Sequence, residues 1–391
     1  MSALAKLEAY VCEIPRDEPY LGALREGEAP NSKGYFVRKG NRTVYPSSDR
    51  SVLVRAETET GAVGWGETYG LVAPRATAEI VVDLLEGFVV GRDPADAVAI
   101  HDDLYDLMRV RGYTGGFYLD ALAAVDIALW DAAGRESDQS VAELLGGRCR
   151  DRISAYISGL PKPTLPERIE FAREWLDKGF DSFKFAAPVA DDGIVAEISG
   201  LRKALGTHAR IACDMHWAHS PEEAIEAIKE MESCGLWFAE APIPTENING
   251  LGKVAASVDT PVAVGEEWRT LYDAQLRYEV DGLRIVQPEM GHTGIVEFSR
   301  IAKAANERGI EIIPHATIGT GIFLAASLQA SLALEGVAGH EFQHSIFNRN
   351  HDLITQGLSC EGGFYGVSDG PGIGIEPTEQ LLSSLEKHRG K

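Results

Sequence analysis

The chain has 391 residues, 45% hydrophobic and 25% charged, with 59 acidic against 37 basic side chains and a formal charge of −22. That length suits two domains with a large core, and the charge repels phosphate backbones and anionic membrane surfaces, which argues against nucleic-acid and membrane partners. The five cysteines are scattered without C-x-x-C spacing, and the N-terminus lacks an apolar signal core, so neither a disulfide framework nor a zinc site is expected and a cytoplasmic location is.

Residues 6–15 and 50–70 alternate apolar and polar side chains, the second stretch turning at Thr60-Gly61, and predict antiparallel strands of a small sheet. Between them, 16–49 is polar, contains Gly and Pro, and has too little periodicity for an element; so long a loop is expected to be functional. Its Arg25, Lys33, Tyr35, Arg38 and Lys39 suit a polyhydroxylated acid, with Arg25 and Tyr35 as candidate substrate-binding residues. Helical patterns follow at 76–90, 94–111 and 115–135, the last apolar enough to be buried, so residues 1–145 read as an α+β domain.

From 146 to 355 the pattern is strand, turn, helix, with strands expected at 153–158, 180–186, 209–215, 236–240, 262–266, 283–287, 310–314 and 337–342. Such βα units build a closed parallel barrel of seven or eight strands. Ser220-Pro221-Glu222-Glu223 marks one helix start with an N-cap Ser, an N1 Pro and a capping-box Glu. Residues 356–391 are Gly-rich with no strong element, and are expected to return to the first domain.

Asp214, Glu240 and Glu266 each end a short apolar run, at equal intervals (240 − 214 = 26 and 266 − 240 = 26). Carboxylates at the C-terminal ends of adjacent parallel strands converge, and an oxygen-only set suits a hard divalent cation such as Mg²⁺. Other strand ends carry Lys184 before Phe185-Ala186, Gln287-Pro288-Glu289, and Pro314-His315. His216 lies two residues beyond Asp214, and Glu341 sits in Gly339-His340-Glu341-Phe342-Gln343, with His340 and His344 flanking it without clear roles. Trp217 and Trp268 are candidate pocket-lining residues, whereas Ile318-Gly319-Thr320-Gly321-Ile322 reads as a tight turn into a helix rather than a phosphate loop.

Together these motifs resemble the enolase superfamily in its mandelate racemase branch, and most of all its galactonate and mannonate dehydratases. The resemblance spans essentially the whole chain and implies an α/β fold, a modified (β/α)7β TIM-like barrel under an α+β capping domain. It implies Mg²⁺ on Asp214, Glu240 and Glu266. The branch's Lys-x-Lys corresponds to Lys184-Phe185-Ala186, so the second Lys is missing and Lys184 is expected to neutralise a substrate carboxylate. His315 with Glu289 matches the His-acid dyad, in which a carboxylate on one imidazole nitrogen raises the basicity of the other and makes His315 the general base. Asp214-x-His216 matches the motif linked to leaving-group protonation, and Glu341 the residue assisting the enolate oxygen. The expected activity is Mg²⁺-dependent dehydration of a sugar acid, aldonate or aldarate, to its 2-keto-3-deoxy product. Alternatives are an epimerase, racemase or cycloisomerase using the same enediolate, and a binding protein that retains the metal site. An even-numbered homo-oligomer is expected from the same resemblance.

Overall fold

The computed structural model describes residues 2–40, 42–315 and 319–390. Strand β1 (Leu4–Pro15) leads through the short hairpin β2 (Tyr35–Val37) and β3 (Val44–Pro46) to β4 (Ser48–Thr58) and β5 (Val63–Tyr69). β1, β4 and β5 are antiparallel neighbours. The hairpin corrects the expectation of an element-free 16–49 segment: strands of three residues are too short to display alternation.

Helices α1 (Pro74–Glu79) and α2 (Glu86–Val89) are joined by a π-helical stretch at Ile80–Leu85, and α3 (Ala97–Arg109) and α4 (Gly116–Ser137) follow. α4 is buried on nearly every side, because β5 carries Gly64 and Gly66 where a Cβ would lie 2.2 Å from Ala128 O and 1.9 Å from Ala124 O. Small residues on both partners let helix and sheet backbones meet, and only glycine fits at those two positions.

After the short α5 (Val141–Leu144) the parallel strands are β6 (Ile153–Ser158), β7 (Ser182–Ala186), β8 (Arg210–Asp214), β9 (Leu236–Glu240), β10 (Val262–Val264), β11 (Leu283–Val286), β12 (Glu311–Ile312) and β13 (His340–Phe342). The helices between them are α6 (Leu165–Asp177), α7 (Ile194–Leu205), α8 (Pro221–Glu232), α9 (Ile248–Ser257), α10 (Leu271–Tyr278), α11 (Met290–Asn306) and α12 (Ile322–Ala333). β13 pairs parallel to β6 and Ile312 bridges to Val337, closing a (β/α)7β barrel of eight strands among the described residues.

Inside, Tyr156, Ala212, Phe238, Ala263, Ile285 and Ile313 form one buried apolar layer. With a side-chain period of two, the next inward position along each strand is Ser158, Asp214, Glu240, Gln287 or His315, so the packed layer is the floor on which the polar groups stand. β10 departs from the period: Gly265, at φ 124, adds a residue so that Glu266 takes the inward place.

The tail contains α13 (His344–Asn350), the hairpin β14 (Leu358–Glu361) and β15 (Phe364–Val367), α14 (Glu379–Ser384) and β16 (Glu386–His388). β15 pairs antiparallel with β6, and β16 adds to β1 in the first sheet. The tail therefore has more structure than its glycines suggest, since Gly362 and Gly363 make a hairpin turn rather than a linker.

Buried carboxylates tie the two domains. Glu67 on β5 accepts from the backbone N–H groups of Thr320 (2.6 Å), Ile322 (3.1 Å) and Phe323 (3.3 Å), satisfying the N-terminus of α12 from another domain. Asp126 on α4 accepts from Ile295 and Val296, where α11 breaks at Gly294. Asp131 accepts from Trp65 and, in the tail, from Ile373. No described helix is long and apolar enough to cross a membrane.

Candidate active site

The barrel's C-terminal mouth and the capping segments enclose a cavity of about 530 Å³, lined by Lys184, Asp214, His216, Glu266, His315 and Glu341 from the barrel and by Arg16, Tyr20, Thr43, Tyr45 and Tyr69 from the cap. That volume lies in the range usual for small-molecule sites.

At its base Lys184 Nζ lies 2.6 Å from Glu240 Oε1 and 3.0 Å from Glu341 Oε1. Burial opposes the ammonium charge, but Glu240 and Glu341 outweigh it and push the Lys184 pKa well up, so the amine stays charged. Glu240 Oε2 accepts from Gln287 Nε2 at 2.6 Å. His216 Nε2 is 2.8 Å from Asp214 Oδ2, and His216 N donates to Asp214 Oδ1 at 2.9 Å. His216 and Trp217 both take left-handed backbone (φ 50 and 54), and Trp217 N donates to Ala241 O at 2.6 Å. Consecutive non-glycine residues in that region cost roughly 1–3 kcal/mol each, and such strain concentrates at functional sites.

His315 Nδ1 is 2.7 Å from Glu289 Oε2, and its Nε2 faces Glu266 at 3.5 Å and Glu341 at 3.6 Å. Burial disfavours the imidazolium, yet Glu341, Glu266 and Glu289 raise its pKa well above the usual value. Glu289 is fully buried, and beyond His315 it accepts from Gly291 N (3.0 Å) and from the hydroxyl of Tyr69 (2.9 Å). Tyr69 stacks on His292 with ring centroids 4.4 Å apart; His292 Nδ1 is 2.8 Å from Asp120, which also takes Arg269 Nε at 3.0 Å.

Asp214, Glu240 and Glu266 fit a divalent cation in donor type and in charge. The Glu266 carboxyl is pushed up to about 8, first by burial and then by repulsion from Glu240 and Asp214 over the attraction of His315: an excess of buried negative charge that a cation would relieve. Asp214 goes the other way, to about 2, because His216 and Lys184 outweigh its burial. Among the described residues, however, no three His, Cys, Asp or Glu side chains stand together as a formed ligand set. The oxygens of Glu240 and Asp214 are held instead by Lys184, Gln287 and His216, which a bound cation would have to displace or share.

Other expected site residues lie elsewhere. Arg25 is outside the cavity, pairing with Asp191 at 3.0 Å and donating to Pro188 O. The Tyr35 hydroxyl accepts from Ala73 N and its ring packs under Arg50, away from the cavity. Arg38 is buried against Glu28 at 2.7 Å. Trp268 is 1% exposed and edge-on to Tyr278, a core residue rather than a pocket wall, whereas Trp217 does line the cavity. His340 is buried between Ser327 Oγ and Glu341 O, and His344 meets Gly159 O; both are packing residues. The 319–322 turn enters α12 and is held by Glu67; residue 318 lies outside the described residues. Tyr69, His292, Arg16 and Arg349 carry no sequence signal of their own, whereas Gln287 is legible in the strand end Gln287-Pro288-Glu289.

A capping sheet over a (β/α)7β barrel with acids on three successive strand ends defines a class of enzyme that works at the barrel mouth. Residues 42–146 match the mandelate racemase / muconate lactonizing enzyme N-terminal domain and 167–381 the enolase C-terminal domain-like model. The chain belongs to the enolase superfamily, in its mandelate racemase branch. It is 32% identical over 347 residues to D-galactarolactone cycloisomerase of Agrobacterium fabrum (85% of this chain, 90% of the relative). It is also 32% identical over 372 residues to D-galactonate dehydratase of Verminephrobacter eiseniae (89% and 93%). A solved enolase-superfamily member from Agrobacterium tumefaciens is 59% identical, with TM-score 0.97 over 99% of this chain and 100% of that one.

Proposed function

We propose that the protein dehydrates a sugar acid to its 2-keto-3-deoxy product, beginning with abstraction of the proton α to a carboxylate. The observation that carries this reading is His315, held at Nδ1 by buried Glu289 and presenting Nε2 to the cavity that Asp214, Glu266 and Lys184 share. Glu289 fixes the tautomer, leaving Nε2 to take the proton. The carboxylates facing Nε2 favour imidazolium, so partial neutralisation of Glu266 and Glu341 is what frees His315 to act as a base. Mg²⁺ bound by Asp214, Glu240 and Glu266 would supply that neutralisation and the electrostatic stabilisation of enediolate oxygens. Lys184, charged and 4% exposed, adds positive potential at the same pole, where the low dielectric strengthens it. Ala186 leaves the opposing face without a second amine, in keeping with one-base chemistry. His216, beside Asp214, is positioned to protonate the departing 3-hydroxyl.

A cycloisomerase is the second reading, supported by the similarity to the galactarolactone enzyme and by the engagement of His216 with Asp214, which matters less when the departing group is a ring carboxylate needing little protonation. The test is a library of sugar acids and their lactones incubated with Mg²⁺ in D₂O. Dehydration gives a keto acid that semicarbazide captures with release of water. Elimination of a lactone's ring carboxylate also gives a keto acid, but with no loss of water and with one solvent deuterium gained, epimerisation returns a deuterated isomer, and no turnover across the library would sink both readings.

A further inference from the structure

The cavity that Lys184 lines also carries two guanidinium groups that share one carboxylate. Arg16, just beyond β1, places Nη1 2.7 Å from Asp49 Oδ1, donates Nε to Glu18 O at 2.9 Å, and lies 3.7 Å over the Tyr20 ring. Arg349, on α13, places Nη2 2.6 Å from Asp49 Oδ2. Asp49, 4% exposed at the start of β4, also accepts the Tyr20 hydroxyl. Two buried or half-buried positive charges thus face one negative charge in a chain of net charge −22. Desolvated charge of one sign is costly unless something answers it.

The other carboxylates of that wall have their own partners or face water. Asp120 holds Arg269 and His292, Glu267 accepts from Thr245, and Glu18 is exposed at the rim. Arg16 and Arg349 line the same cavity as His315 and Lys184. Each fork has five N–H donors, of which Asp49 and Glu18 O use only a few, and the planar geometry matches a carboxylate. Arg349 Nε and Nη2 both lack a hydrogen-bond partner among the described residues, so the approach of Nη2 to Asp49 Oδ2 is a charge contact that leaves the fork's donors free.

We infer that Arg16 and Arg349 form a subsite for a second carboxylate, so that the substrate is a diacid sugar, an aldarate, bound with one carboxylate at the Lys184 pole and the other at the arginine pair. This deepens, and rests on, the sugar-acid reading above. Asp49 then acts as a positioning residue that keeps the two like-charged forks apart and aimed at one point. Arg16 comes from the cap and Arg349 from α13, directly after the last barrel strand, so the subsite exists only when cap and barrel are together, and a diacid would bridge them.

The test compares aldarates with aldonates of matched stereochemistry. Wild-type protein should turn over or exchange the α-proton of an aldarate with kcat/KM at least about tenfold above the aldonate. Arg349→Met should lower that ratio at least about tenfold, through KM for the aldarate; Arg349→Lys, which keeps the ion pair to Asp49 but loses the fork, should fall between. Calorimetric titration of each variant with an aldarate and its aldonate, in Mg²⁺ buffer, is read alongside. Equal use and equal binding of mono- and diacids by wild type, or the same loss for both in Arg349→Met, overturns the subsite. Diacid-selective binding that Arg349→Met abolishes, in a protein that turns over no acid, keeps the subsite and overturns the reaction.

Discussion

Tyr69, on the last strand of the capping sheet, donates its hydroxyl to Glu289 Oε2, the same oxygen that holds His315 Nδ1 in the barrel. Burial, then the Glu289 charge, raises the Tyr69 pKa well above its usual value, so the phenol remains a donor throughout the working range. The base we propose, His315, is thereby positioned from the cap. Tyr69→Phe should slow α-proton exchange in D₂O by roughly 10–100-fold, the usual range for loss of a group that orients a functional residue, with KM changed far less. Exchange within about twofold of wild type would show that Glu289 is held well enough by Gly291 N and His315 alone.

His315→Asn removes the proposed base and leaves the carboxylates in place. We expect at least about a thousandfold loss of exchange, in line with general-base catalysis together with the dyad, while thermal unfolding still shifts upward on adding magnesium. An Asn variant with near-wild-type exchange would reassign the base.

The Mg²⁺ expectation can be checked without turnover. Chelator-stripped protein should gain about 2.7 kcal/mol of stability at a free cation concentration a hundredfold above Kd. Asp214→Asn, which removes one of the clustered charges, should lose most of that gain. A wild-type melting temperature indifferent to millimolar magnesium would leave the acidic cluster to Lys184, Gln287 and His216 alone.

Glu67 gives a stability prediction at the domain boundary. Its carboxylate, whose pKa burial raises, answers three backbone donors at the start of α12. Glu67→Ala should cost about 3 kcal/mol or more, because several buried N–H groups lose their acceptor. Glu67→Gln keeps one oxygen and should cost about 1–2 kcal/mol, as for loss of a helix cap. Urea unfolding measures both, and equal small losses would mean that water replaces the carboxylate.

How much of this was legible follows from the range of the interactions. Asp214, Glu240, Gln287 and His315 could be read because a strand's period of two and the barrel rule place them locally, each one step beyond an apolar floor residue. The even spacing of 26 to Glu266 held only because Gly265 contributes an extra residue, an irregularity that the sequence alone does not display. Tyr69, Arg16 and Arg349 escaped because nothing in their neighbourhoods is unusual: each acquires its role from a partner in another domain or far along the chain, Glu289 for the first and Asp49 for the others. Arg25 and Tyr35 stand out by composition alone, and composition does not say which side of a loop or a hairpin faces the cavity.

His344 provides a test of pH dependence away from the acidic cluster. Burial beside Trp175 and Phe171 lowers its pKa from 6.5 to about 4, while its Nε2 lies 3.0 Å from Gly159 O. Between those two values the unfolded chain binds a proton that the folded protein refuses, so stability falls as pH drops from 6.5 toward 4, by up to about 3 kcal/mol. Asp126 acts in the opposite sense: burial raises its pKa from 3.8 to about 6, so the folded state holds the proton and its contribution is lost as pH rises through that window. The wild-type slope sums these two with the other shifted groups, Glu266 among them, and subtraction of the variant's curve isolates the histidine. His344→Gln, which removes the titration and retains a donor, should be less stable than wild type at pH 7, with the gap closing as pH approaches 4. Parallel stability curves for the two proteins across that range would show that His344 titrates in the folded protein as it does in the unfolded chain.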